Sequence, residues 1–248
     1  MPFHMKTSFG IDESIDKIVK PAPIMYCSSF EASSKKMPEC TSTEYWVTVI
    51  VHEYFHGFQF KHKSYTNTVL MKTAGVSQDS LSKIFKNNSW FAEKIKKEND
   101  FLLKAIQSEN RSETESYIDS FFSLRKERRL EVQSKLNFEI DDVEKIYETM
   151  EGTARYIEYN LQMEYATRKP DKKLASVDTA YHSYKIFQNY KIENDPWLYT
   201  AGKRYFYATG FNIVRLLDKL KIDYKSRLFK EGSLSLDEIL EKNYKKSK

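Results

Sequence analysis

The stretch Val51-His52-Glu53-Tyr54-Phe55-His56-Gly57 places two histidines four residues apart, with a glutamate directly after the first. On a helix that spacing closes one full turn plus about 40°, so both imidazoles project from the same side, one turn apart. A single metal ion is then within reach of both rings, and Glu53 can reach a water beside that ion. Upstream, Thr41-Ser42-Thr43-Glu44 reads as a capping box, with Thr41 accepting from the first turn and Glu44 reaching back. The run from Tyr45 to Phe60 is apolar nearly all round, as in a helix buried in a core. A metal-site helix is therefore expected over 42–63, ending at Lys61, His62 and Lys63, where the helix dipole favours cations. The plain alternative is a core helix with two incidental histidines. Burying two imidazoles and a carboxylate without partners is costly, however, and a metal ion supplies those partners.

The chain around this stretch has 248 residues, enough for one large domain or two small ones. A hydrophobic content of 40% and a charged content of 30% place it among globular proteins. Seventeen Tyr and sixteen Phe allow a substantial core. The net charge of +5 is modest and the two signs are mixed along the chain, which argues against a nucleic-acid partner. No run of apolar residues is long enough for a membrane span. The N-terminus lacks the shape of a signal peptide, which slightly favours a cytoplasmic location and leaves it undetermined. Cys27 and Cys40 form no CxxC pair, so a cysteine metal site is not expected; one disulfide and two free thiols both stay open.

Outward from the motif, residues 1–40 read as irregular, with Ile24-Met25-Tyr26-Cys27 a candidate short strand in a small β element. Residues 76–140 read as a helical insert. One face is marked by Phe91, Ile95, Leu102 and Ile106, another by Tyr117, Phe121, Leu124 and Val132. Arg125-Lys126-Glu127-Arg128-Arg129 reads as a solvated helix face. A helix from Asp141 or Asp142 is expected to run to Tyr165 and to break at Lys169-Pro170-Asp171. Asp195-Pro196-Trp197 reads as the start of a long helix reaching about Leu220, Gly232 as a stop, and Ser235-Leu236-Asp237-Glu238 as the capping box of a last helix. Residues 141–248 thus carry the remaining helices, within one mainly α (α+β) domain spanning 1–248.

Two residues compete for third ligand. His62 follows His56 at the distance seen in the HExxHxxGxxH pattern of metzincins, but Gln59 stands where that pattern has its turning glycine. If the helix continues, His62 lies about 9 Å further along the axis and off the shared face. The other candidate lies in Thr149-Met150-Glu151-Gly152-Thr153-Ala154-Arg155-Tyr156-Ile157-Glu158. This stretch resembles the third-ligand helix of the gluzincins, in particular the M1 aminopeptidase family, where a glutamate-glycine pair is followed by a small residue, an aromatic and a further glutamate. Tyr207-Ala208-Thr209-Gly210 resembles that family's tyrosine three residues before a glycine.

The resemblance implies a compact zincin-like metallopeptidase fold and one Zn2+ per chain, held by His52, His56 and Glu151. Glu53 would be the general base, and Tyr207 would donate to the oxyanion, with Tyr205 and Tyr199 as alternatives. Glu158 is a candidate to orient a ligand histidine, and Arg155 to pair with Glu158 or a substrate carboxylate. The implied substrate is a peptide or protein. The family's GxMEN segment and its large β-rich domain are missing, so an amino-terminal specificity is not implied. An inactive zinc-binding protein and a zinc hydrolase of a non-peptide amide are the alternatives.

Overall fold

The computed structural model describes residues 5–10, 22–188, 190–192, 204–230 and 235–246. They are mainly α, with ten helices and one pair of strands among them. The chain groups into two compact units, one of Met1–Lys63 with Ala154–Lys191, the other of Ser64–Thr153 with Ile192–Lys248.

In the first unit, β1 (Met5–Gly10) pairs antiparallel with β2 (Ala22–Cys27), Met5 opposite Cys27 and Gly10 opposite Ala22. Both strands lie against α2 (Thr43–Lys61), which follows the short α1 (Phe30–Ser34). Cys27 is exposed, Cys40 is buried, and both are free thiols.

The start of α2 differs from the capping box expected at Thr41. Ser42 is the N-cap, its hydroxyl accepting from the Tyr45 amide at 3.2 Å. Glu44 does not reach back. Its carboxylate accepts from the backbone amides of His182, at 3.0 Å, and Tyr184, at 2.7 Å. Ser183 and Tyr184 have left-handed backbones, φ 55° and 60°, and the buried carboxylate holds this unusual turn. The helix also ends earlier than expected. His62 is its C-cap with an extended backbone, and α3 (Lys63–Lys72) begins directly after it.

The burial of α2 reverses the expectation of an apolar core helix. Its buried line is polar: Glu44, Thr48, His52, His56 and Gln59, at helical spacing. Tyr54 and Phe58, by contrast, are exposed at 67% and 46%. Also in this unit are the part of α7 (Asp141–Thr167) from Ala154 onward and α8 (Lys172–Val177), capped by Asp171.

The second unit resolves the helical insert into α4 (Gln78–Asn87), α5 (Ser89–Gln107) and α6 (Arg111–Leu136). It adds α7 up to Thr153, α9 (Tyr205–Lys219) and α10 (Leu236–Lys246). Asn110 caps α6 through the amides of Ser112 and Glu113, and Asn137 ends it in the left-handed conformation at φ 48°. Helix α5 packs along α6 and α9, burying Phe91, Ile95 and Leu102 with Phe121, Phe211 and Leu217.

The buried stripe of α6 is Ile118, Phe121, Arg125, Arg128 and Val132, so two arginines stand where a solvated face was expected. The capping box of α10 forms as expected. The Ser235 hydroxyl accepts from the Glu238 amide at 3.4 Å, and Glu238 accepts from the Ser235 amide at 3.2 Å. The expected helix start at Asp195-Pro196-Trp197, the stop at Gly232 and the alternative Tyr199 lie outside the described residues.

Helices α7 and α9 cross at two glycines. A Cβ on Gly152 would stand 2.3 Å from the Gly210 carbonyl carbon, and one on Gly210 would stand 2.1 Å from the Glu148 carbonyl oxygen. Only glycine fits at either position, and this packing accounts for the glycines of both the Glu-Gly and the Tyr-x-x-Gly stretches.

Candidate metal centre

Helix α2 carries His52, Glu53 and His56 on neighbouring turns. Each offers one ligand atom, and these atoms all lie within 4.8 Å of one another; it is the one such group found among the described residues. The two imidazoles are buried, with ring centroids 5.0 Å apart and planes at 82°. Glu53 is half-buried beside them.

Both rings are held through Nδ1. His52 Nδ1 is 3.2 Å from Glu158 Oε2, and His56 Nδ1 is 2.8 Å from Gln59 Oε1. A carboxylate and an amide oxygen only accept, so each Nδ1 is the donor in these contacts, and in the neutral ring the lone pair then lies on Nε2. That is the tautomer a metal requires of an Nε2 ligand, and a carboxylate behind the ring makes it more basic. The donor chemistry and tautomers of these residues therefore fit a zinc ion.

Glu158 is itself braced. Arg155 Nη1 lies 3.4 Å from Glu158 Oε2, and Gln162 Nε2 donates to Oε1 at 3.1 Å. Burial alone would raise the Glu158 carboxyl, but Arg155 and His52 outweigh it and hold it below the usual range. Arg155 thus pairs with Glu158, one of its two expected alternatives.

His62 is not part of the metal-compatible group. Its ring packs edge-on against Phe58, with centroids 5.1 Å apart. The helix stops at Lys61 rather than continuing past His62, so the sequence argument from a continuing helix does not apply to it.

Glu151 and Tyr207 belong to the second unit and are described within it. Glu151 is 3% exposed and accepts a short hydrogen bond from Gln78 Nε2, at the start of α4. Burial, and then the Glu151 charge, push the Tyr65 hydroxyl far up; Tyr147 is raised by the same two causes and donates to the Val76 carbonyl at 2.9 Å. Tyr207 is buried, with the Arg204 guanidinium 6.0 Å from its ring centroid. Burial opposes the Arg204 charge, but Tyr207 and then Glu151 favour it.

Tyr205 has a separate role. It is 1% exposed and donates to Glu144 at 2.7 Å. A cleft of about 870 Å3 in this unit, bordered by Phe122, Leu130 and Glu241, contains none of the expected site residues.

Gln59 was not assigned a role from sequence, although its place three residues after His56 is one turn along the same helix face. Gln78 and Gln162 carry no comparable signal, because a glutamine is an ordinary surface residue until its partner is known. Comparison with protein families, with curated proteins and with solved structures finds no match to this chain.

Proposed function

We propose that this protein is a zinc-dependent peptidase of zincin-like fold. The observation that carries the reading is the buried polar line of α2, where His52 and His56 are each fixed at Nδ1 and stand with Glu53 around one point. A helix that buries two imidazoles and leaves Tyr54 and Phe58 in water needs a reason for the inversion. Metal ligation by those imidazoles is such a reason.

In this reading His52 and His56 would hold one Zn2+ per chain, and Glu151 would complete the ligand set, on the strength of the resemblance of its Glu-Gly helix. When bound, the ion supplies Lewis acidity, lowering the pKa of a water and polarising a carbonyl. Glu53 accepts the proton of the attacking water and delivers it to the leaving amine. Tyr207 donates its hydroxyl to the developing oxyanion. Glu158 and Gln59 keep the two imidazoles in the ligating tautomer, and Arg155 keeps Glu158 ionised. The substrate is a peptide or protein.

The test is Glu53→Gln, which preserves shape and removes basicity. The variant should keep one zinc per chain by elemental analysis and lose cleavage of a mixed peptide library that the wild type cuts. A wild type that takes up zinc yet cuts no peptide would point to a binding protein on the same scaffold. A wild type that takes up no zinc would end the reading.

A further inference from the structure

The second unit buries a group of charges that the proposed chemistry does not use. Arg128 lies between two carboxylates, its Nε 2.5 Å from Glu98 Oε1 and its Nη2 2.8 Å from Glu144 Oε2. Arg129 Nε is 2.9 Å from the same Glu144 oxygen, and its Nη2 is 3.3 Å from Asp237. Arg125 reaches Glu98 at 3.3 Å and Asp237 at 3.5 Å, and contacts Glu148 closely. Two hydroxyls of α9 complete the set, Tyr205 donating to Glu144 at 2.7 Å and Thr209 to Glu148 at 2.6 Å. At the partly exposed rim, Asp141 pairs with both Arg129 and Lys145, and Lys145 also lies 3.6 Å from Glu238 and favours the charge of Asp237.

The charges do not balance. Among the described residues, three guanidiniums, of Arg125, Arg128 and Arg129, face four carboxylates, of Glu98, Glu144, Glu148 and Asp237, and none of these carboxylates is more than 5% exposed. One negative charge is left over. A carboxyl placed away from water without a counter-charge escapes the cost by taking up a proton.

The geometry selects Glu148 for that proton. Among the described residues, Glu98 and Asp237 are each faced by two arginines and Glu144 by three, whereas Glu148 forms an ion pair with Arg125 alone. Burial, opposed by Arg125 and more weakly by Arg129 and reinforced by Glu144 and Asp237, pushes the Glu148 carboxyl up to about 7. Glu144 is buried too, but Arg128, Arg129 and Arg125 hold it well below the usual range. An acceptor for the proton is at hand. The Thr209 hydroxyl, 3.4 Å from the Tyr205 carbonyl, can donate to that carbonyl and accept from protonated Glu148.

We propose that a proton on the Glu148 carboxyl completes this buried network, and that its loss in mildly alkaline solution loosens the packing of α5, α6, α7, α9 and α10. The sign follows from the raised carboxyl. Its contribution to stability is complete below the ordinary glutamate value and is lost as pH rises through about 7. The proposal does not depend on the peptidase reading.

The test compares thermal unfolding of the full chain, wild type against Glu148→Gln, from about pH 5.5 to about pH 8.5. Glutamine imitates the protonated acid and cannot titrate. Wild-type Tm should fall relative to the variant across this range, by on the order of 5 °C. Other titrating groups are common to both proteins and cancel in the difference. Parallel Tm curves would overturn the proposal. If the variant does not fold, infrared spectroscopy of the wild type decides. A carbonyl band of one buried carboxylic acid should be present at about pH 6 and lost by about pH 8.5, and its absence at the lower pH would overturn the proposal.

Discussion

His52 Nδ1 lies 3.2 Å from Glu158 Oε2, so the first histidine of the motif is oriented by a residue 106 positions further along the chain. Glu158→Ala removes the acceptor that sets the tautomer. Zinc affinity should fall by roughly 10–100-fold, measured by chelator competition. Glu158→Gln, which keeps an oxygen for the ring proton, should lose less. An alanine variant that binds zinc as the wild type does would remove Glu158 from this role.

The choice of third ligand is open to direct measurement. Glu151→Ala should weaken zinc binding strongly by leaving only two protein ligands, and His62→Ala should leave it nearly unchanged. The ring of His62 rests on Phe58 at the end of α2, so its loss should show only as a small change in melting temperature. Zinc titrations giving the opposite ranking would assign the ligand to His62.

Tyr207 and Tyr205 should fail in different ways. If the Tyr207 hydroxyl meets charge that develops in the transition state, Tyr207→Phe should lower kcat by roughly 10²–10³ with zinc content intact. Tyr205→Phe takes the donor from the buried Glu144 and should cost about 1–3 kcal/mol of stability instead. Urea unfolding and steady-state kinetics on both variants separate the roles. A kcat loss confined to Tyr205→Phe would show that the motif was matched at the wrong tyrosine.

The crossing of α7 and α9 tolerates no side chain. Gly152→Ala and Gly210→Ala should each destabilise by at least about 1–3 kcal/mol, because the added methyl meets backbone that cannot turn away. Calorimetry giving a wild-type Tm for either variant would mean that the helices are less closely apposed.

The polar line of α2 and the arginines of α6 show where sequence reading stopped. Histidines at positions 52 and 56 have to share a helix face, since four residues make about one turn. The capping box at Ser235 is likewise local, formed by groups three residues apart. That Glu44 would hold the turn at His182 and Tyr184 was not visible in its own neighbourhood, where a reach back to the cap was the nearest option. Arg125 and Arg128 read as solvated for the same reason. Their counter-charges Glu98, Glu144 and Glu148 are distant in sequence, and a lone arginine belongs in water.

By itself the sequence determined the mainly α class, the helix that carries His52 and His56, the shared face of these two histidines and the capping box of the last helix, all properties of groups within a turn or two of one another. Only the tertiary structure decided which side of each helix is buried. Burial of a polar group depends on its partner, and Glu158 for His52 and the carboxylates for Arg125 and Arg128 are supplied by distant parts of the chain.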